Sequence, residues 1–210
     1  MNQMLQDAPQ DSSQATSEVQ ATSEVNDTSE AKDTSEAERS PETVDRPPAT
    51  AHPRFAKPQR VAFVQSSWHR EVVEECRLAF LREIEARHIT NVDVFEVPGS
   101  FEIPLHAQLL AKTRRYTAIV AAGLVVDGGI YRHEFVADTV IKALMEVQLR
   151  TEVPIFSAVL TPQQFHESSV HHDFFRKHFV IKGIEVAEAC ANTLHSLERL
   201  RGQVAAGITG

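Results

Sequence analysis

The sequence predicts a single α/β domain in which a four-stranded parallel sheet lies between two layers of helices. Three observations predict it. From residue 60 on, short β-rich runs alternate four times with longer stretches that are apolar at three- and four-residue spacings. The third and fourth runs are apolar throughout, as strands buried on both faces are. Four such units in about 145 residues are enough for one small open sheet and one core.

The elements follow in order. Residues 1–50 carry eleven Asp/Glu against three Lys/Arg, whereas 51–210 carry eighteen of each and all ten histidines. Thr-Ser-Glu recurs every six residues at Thr16, Thr22, Thr28 and Thr34, a period that fits neither a heptad nor a solenoid repeat. With so few large apolar residues this segment is expected to stay unfolded. "RPPATAHPRFAKP" (46–58) reads as a Pro-rich linker, so 1–58 form tail and linker and 59–201 the domain, with 202–210 a flexible end. "RVAFVQ" (60–65) is strand 1. The helix after it, about 69–87, spaces Val72, Val73, Cys76, Phe80 and Ile84 on one face, with the Ser66-Ser67 pair placed to cap it.

"VDVFEV" (92–97) is strand 2, and a helix near 101–112 follows, with Pro104 tolerated in its first turns. "YTAIVAAGLVV" (116–126) is strand 3, with a helix near 133–149. "VPIFSAVL" (153–160) is strand 4, followed by a long loop and a helix near 184–200 opened by Gly183. Right-handed crossovers between such units give a flavodoxin-like three-layer sandwich in strand order 2-1-3-4.

Composition narrows the function. The acidity belongs to the tail, and the balanced domain has no basic stripe for nucleic acid. No apolar run approaches the roughly 20 residues that span a bilayer, and the N-terminus lacks the basic and apolar regions of a secretory signal. Cys76 and Cys190, far apart in the chain, read as buried free thiols of a cytosolic protein.

Sheets of this kind bind ligands beyond the carboxyl ends of their strands, where the strand order reverses. Four loops fall there: "QSSWH" (65–69), "PGSFE" (98–102), "VVDGGIYRH" (125–133) and "TPQQFHESSVHHDFFRKH" (161–178). They hold the only Trp, Trp68, and six of the ten histidines. Trp68 and Phe101 each offer a wide face to a flat ring, or else pack beneath a loop. Glu102 is either a ligand's hydrogen-bond acceptor or a first-turn charge favoured by the helix dipole. The glycines of "DGG" (127–129) let backbone approach a ligand, and Arg132 and His133 at a helix start suit an anion. Neither GxGxxG nor GxxxxGK[ST] occurs, so dinucleotide and P-loop chemistry are excluded. "HESSVH" (166–171) is not HExxH: its histidines, five apart, diverge by about 140° on a helix and cannot share a zinc from one face. Capture of an anion, helped by Arg176, Lys177 and Lys182, is the better reading of that loop, and no metal is expected.

Several stretches together resemble the lumazine synthase family, which catalyses the penultimate step of riboflavin biosynthesis. They are "QSSWH", "VPGSFEIP", "GLVVDGGIYRHEFVA", "VPIFSAVLT" and "KGIEVAEA", in that order over about 59–201. The resemblance implies condensation of 5-amino-6-ribitylamino-uracil with 3,4-dihydroxy-2-butanone 4-phosphate to 6,7-dimethyl-8-ribityllumazine. No metal or organic cofactor is implied, because the substrate amine is itself the nucleophile. By position, Trp68 resembles the ring that stacks on the pyrimidine. Ser100, Phe101 and Glu102 resemble the stretch that binds pyrimidine and ribityl chain, and Leu124, Val125 and Val126 the strand end that meets the ring edge. Ser157 stands where many members place an aromatic.

Two departures stand out. Arg132 falls where the family carries its proton-transferring His, and His133 follows one residue later. His171 falls where the family's phosphate-binding Arg is expected, with His172 beside it. Trp68, "DGGIYRHEF" and "HHDFF" resemble the type II branch, which implies pentamers paired face to face as decamers, with active sites between subunits. A flavin- or lumazine-binding assembly without catalysis is the alternative from another class. A generic phosphosugar-binding domain is a third, disfavoured by "VPGSFEIP".

Overall fold

The computed structural model describes residues 52–128, 132–163 and 169–208, the side chains of 169–171 excepted. All of these lie in one compact unit, Pro48–Gly210. The expected tail (1–50) lies outside the described residues.

Strands β1 (Arg60–Ser66), β2 (Asn91–Val97), β3 (Ala118–Leu124) and β4 (Ile155–Leu160) form one parallel sheet in the order β2-β1-β3-β4. The strand order is the one expected. Helices α1 (Arg70–Ala86) and α4 (Ser169–Ala205) cover one face, and α2 (Ile103–Lys112) and α3 (His133–Thr151) the other. Alternation along β1 sorts the core: Val61 and Phe63 point towards α1 and α4, Ala62 and Val64 towards α2 and α3. β3, paired on both sides and covered on both faces, is buried along its whole length. β4 is an edge strand, and it departs from the expected two-sided burial: Ile155 and Phe156 are half-buried and Ser157 is exposed.

Two expectations about helix starts are corrected. The serine pair does not cap α1. His69 does so from a left-handed conformation (φ 54°), its carbonyl accepting the N–H groups of Val72 and Val73. Ser67 Oγ instead donates to Glu96 of β2 at 2.8 Å, tying the loop to the neighbouring strand.

The larger correction is α4. The expected loop and new helix at Gly183 are one helix from Ser169, with Gly183 in its middle and its end at Ala205. The physical reason is packing. A Cβ on Gly183 would lie 2.3 Å from the Cys76 carbonyl oxygen and 2.8 Å from Ala79 Cβ. Gly183 therefore marks where α4 crosses α1, and a residue that reads as a break is a contact point.

Candidate active site

The carboxyl ends of the strands bring three separated segments together. Ser67 N donates to Val97 O at 2.8 Å and Trp68 N to Pro98 O at 3.2 Å, so the loop after β1 is fastened to the loop after β2. Arg70 and Ser67 both reach Glu96, bracing the same junction with charge-assisted bonds. On the other side, Val125 N donates to Leu160 O at 2.9 Å, holding the exit of β3 against the end of β4.

After Pro98 the chain makes a 3₁₀ turn, Ser100–Glu102, before α2. Glu102 Oε2 accepts the Gly99 N–H at 2.9 Å, satisfying a donor at the turn's entry. With the carboxylate so placed, Phe101 is thrown outward and Ser100 inward: Phe101 is 62% exposed and Ser100 5%. Ser100 Oγ sits near Ser66 Oγ at Gly123 of β3, where a Cβ would fall 2.2 Å from the first and 3.1 Å from the second. Neither hydroxyl has a hydrogen-bond partner among the described residues, an expensive state for buried polar atoms.

The result is a cleft of about 220 Å³ lined by Trp68, Ser100, Phe101, Leu124, Val125 and Val126, with His69, Gly128 and Val136 completing it. The first six are residues singled out from the sequence. Trp68, 62% exposed, and Phe101 present wide apolar surfaces at its mouth. A Cβ at Gly128 would meet nothing within 4 Å, so that wall leaves room for a bound group. Gly128 belongs to the "DGG" turn expected to approach a ligand, whereas His69 and Val136 are not singled out by the sequence. Only the left-handed turn could have pointed to His69, since it aims the residue after Trp68 back at the cleft.

The remaining site residues lie elsewhere. Arg132 is the extended residue before α3, exposed, with its guanidinium carbon 5.8 Å from the Phe135 ring centre. His133 is the first residue of α3 and only 8% exposed, with Nδ1 3.6 Å from Glu134 Oε2. Ser157 lies on the exposed face of β4, its Oγ accepting Val159 N–H at 3.3 Å. His172 Nδ1 is 3.6 Å from Glu71 Oε1 at the start of α1. The side chain of His171 lies outside the described residues, as do Gly129–Tyr131 of the "DGGIY" turn and 164–168 of the histidine-rich loop. Arg176, expected to serve an anion, is bound to Glu75 at 2.7 Å, and that carboxylate raises its pKa.

Chemically, the cleft can clamp a flat ring between aromatic and aliphatic faces while a buried hydroxyl reads its edge. Among the described residues that line it, no nucleophile stands against a base.

Comparison with known proteins places this arrangement. A family model described as 6,7-dimethyl-8-ribityllumazine synthase matches residues 58–198. The protein named "6,7-dimethyl-8-ribityllumazine synthase 2" of Bradyrhizobium diazoefficiens is 86% identical over 162 residues, covering 77% of this chain and 98% of that one. Its namesake in Rhodopseudomonas palustris is 69% identical over 160 residues, 75% and 87% of the two chains. Similarity to "6,7-dimethyl-8-ribityllumazine synthase 1" of Caulobacter vibrioides is lower, 33% over 146 residues, 69% of this chain and 94% of that one.

Proposed function

The chain belongs to the 6,7-dimethyl-8-ribityllumazine synthase family, and on that premise we propose that the cleft between Trp68 and Phe101 holds its pyrimidine substrate. It is an enzyme of riboflavin biosynthesis, joining 5-amino-6-ribitylamino-uracil to 3,4-dihydroxy-2-butanone 4-phosphate with loss of phosphate and water. The observation that carries the site reading is the lining of the cleft: three segments far apart in the chain converge on one apolar slot with a buried hydroxyl on its wall.

The residue roles are those the family resemblance implies, and the cleft geometry supports them. Trp68 stacks on the pyrimidine, with Phe101 at the opposite lip. The unpartnered Ser100 Oγ hydrogen-bonds the ring edge, beside the strand end Leu124–Val126. Glu102 Oε2 holds Gly99 N–H, which leaves Oε1 to accept ribityl hydroxyls. The substrate amine attacks the ketone, so the protein supplies position, proton transfer and phosphate capture. His133 moves the proton, an imidazole being the side chain suited to give and take one, whereas a guanidinium is suited to bind anions. Arg132, exposed beside it, binds phosphate together with His171 or His172. Ser157 contributes from the exposed face of β4.

Several of these residues stand apart from the cleft in one subunit, which supports a site completed by a neighbouring copy. A continuous apolar stripe supports the same reading: Phe101, Leu105 and Leu109 are exposed at four-residue spacing, and Phe135, Met145 and Leu149 are exposed on adjoining α3. The assembly is a pentamer, paired face to face, acting on small molecules in the cytosol. Among the described residues no helix is long and apolar enough to cross a membrane. Residues 59–201 constitute the catalytic domain, and the tail lies outside its chemistry.

The test mixes protein with both substrates and follows lumazine absorbance and fluorescence, with sedimentation measured in parallel. Turnover above the spontaneous rate by a pentamer-based species is expected. Riboflavin binding without turnover would instead support a binding assembly, and an active monomer would refute the shared site.

A further inference from the structure

A second cavity is larger than the cleft beside Trp68. It lies at the opposite, amino-terminal end of the sheet and measures about 550 Å³, within the range of small-molecule pockets. Its walls come from the end of α2, the start of β3, the α3–β4 connection and the last turns of α4.

Its charge is lopsided. Lys112, Arg114, Arg150 and Arg201 line it against one carboxylate, Glu152. Arg150 is drawn towards Glu146 on its own helix. Among the described residues no ion pair engages Lys112, Arg114 or Arg201. Two of the four cations have an ordinary explanation, since Lys112 and Arg150 sit in the last turns of α2 and α3, where cations complement the helix dipole. Arg114 stands just past the end of α2 and Arg201 about one turn before the end of α4, so the same field reaches them in part.

Backbone strain recurs at this place, as it does at His69 and at His88 after α1. α2 and α3 both end on a left-handed residue, where glycine is the unstrained choice. Here the residues are Arg114 (φ 57°) and Glu152 (φ 58°), two of only four non-glycine residues with positive φ among those described. Arg114 is exposed, so no burial offsets that strain. Both strained side chains line this cavity, and strain kept at an exposed charged residue points to use.

We infer that this cavity is a second binding site, for a small polyanion carrying two or more phosphate groups. A single phosphate would engage two of the cations; these four are spread over three helices and the turn after one of them. A nucleobase is not the preferred cargo, because the one aromatic lining residue, Tyr116, is 5% exposed and donates its hydroxyl to Asp93 at 2.8 Å. Arg60 and Arg115 also crowd its ring, each 5.9 Å from its centre. The hydroxyls of Thr117 and Thr151 already donate to the carbonyls of Arg60 and Val147, so the cations alone hold the anion. The site lies at the far end of the strands from Trp68, so it is separate from phosphate capture during the reaction.

The experiment titrates the full-length protein with inorganic tripolyphosphate by calorimetry at low salt, recording Trp68 emission in the same samples. Binding with unchanged emission is expected. The double variant Arg114→Gly, Arg201→Ala should weaken it at least about tenfold, the loss of one charge-assisted bond or more. Glu152→Gln should tighten it. Arg114→Gly relieves backbone strain, so its melting temperature should not fall, and lumazine formation should be unchanged. No binding at millimolar tripolyphosphate would overturn the proposal. So would binding that the double variant leaves intact, or binding that shifts Trp68 emission equally in both proteins, which would place the anion at the other end of the sheet.

Discussion

The indole of Trp68 lies over Gly99 so closely that a Cβ on that glycine would sit 2.9 Å from both Cε3 and Cζ3 of the ring. The glycine of the turn after β2 therefore sets the angle at which the stacking ring meets the cleft. Gly99→Ala must displace the indole, because the other neighbour of the new methyl is the Glu102 carboxylate at 3.1 Å. A shifted Trp68 emission and weaker pyrimidine binding are expected, with little loss of stability because the displaced ring is 62% exposed. Unchanged emission would show that the ring does not rest there.

Trp68→Ala tests the stacking itself. Removing the ring should weaken pyrimidine binding by about 1–3 kcal/mol, on the scale of base–aromatic stacking. Because Trp68 is 62% exposed, the melting temperature should scarcely move. Equal affinity in the variant would remove Trp68 from the site.

Arg132 and His133 differ in burial, which makes their roles separable. Arg132→Ala should raise KM for the butanone phosphate by about tenfold or more, the value of a charge-assisted bond, with the fold intact. His133→Gln keeps a buried polar side chain and should cut kcat by about 10²–10⁴, the range of general acid–base catalysis. If Arg132→Ala carries the larger kcat loss, the proton passes at that position instead.

Gly183→Ala sets helix propensity against packing. Propensity favours alanine by about 1 kcal/mol, but the methyl would lie 2.3 Å from the Cys76 carbonyl oxygen and 3.0 Å from Phe80 N, backbone atoms that cannot rotate aside. Net destabilisation of about 1–3 kcal/mol is expected, read from the denaturation midpoint. A more stable variant would mean that α1 and α4 can separate without cost.

Alkaline pH should loosen the fold through two thiols. Cys76 and Cys190 are buried and free, and burial pushes both up to about 12. An unfolded thiol titrates near 8.5. The folded values are raised, so stability is whole below that pH and is lost progressively as pH climbs towards 12. Each thiol steepens the loss by about 1.4 kcal/mol per pH unit. Denaturant midpoints between pH 7 and 10.5 should show this, and Cys190→Ala should flatten the slope.

The sheet was legible in the sequence because four short β-rich runs, two of them apolar throughout, alternate with helical spacings in lengths that suit one parallel sheet. Trp68 and Phe101 were legible as aromatics in tight strand-to-helix turns, and Ser100, Leu124, Val125 and Val126 through the family resemblance. What was not legible is tertiary in origin. Gly183 has the same composition signal whether it starts a helix or lets one cross another, and only the nearness of Cys76 and Ala79 decides. Ser67 had two partners within reach, the N–H groups of α1 and the Glu96 carboxylate, and β1–β2 pairing brought the second closer. The basic cavity is built from four segments with no shared motif, so no local pattern announces it.

The packing of α4 against α1 also bears on how the chain is made. These helices pack more extensively than any other pair, yet about eighty residues separate the end of one from the start of the other. At a synthesis rate of about 5–20 residues per second, the apolar side of α1 waits roughly 4–16 seconds for its partner. Through that interval Val72, Cys76 and Phe80 have no final cover on the ribosome. That side of the core is therefore finished only once α4 has emerged.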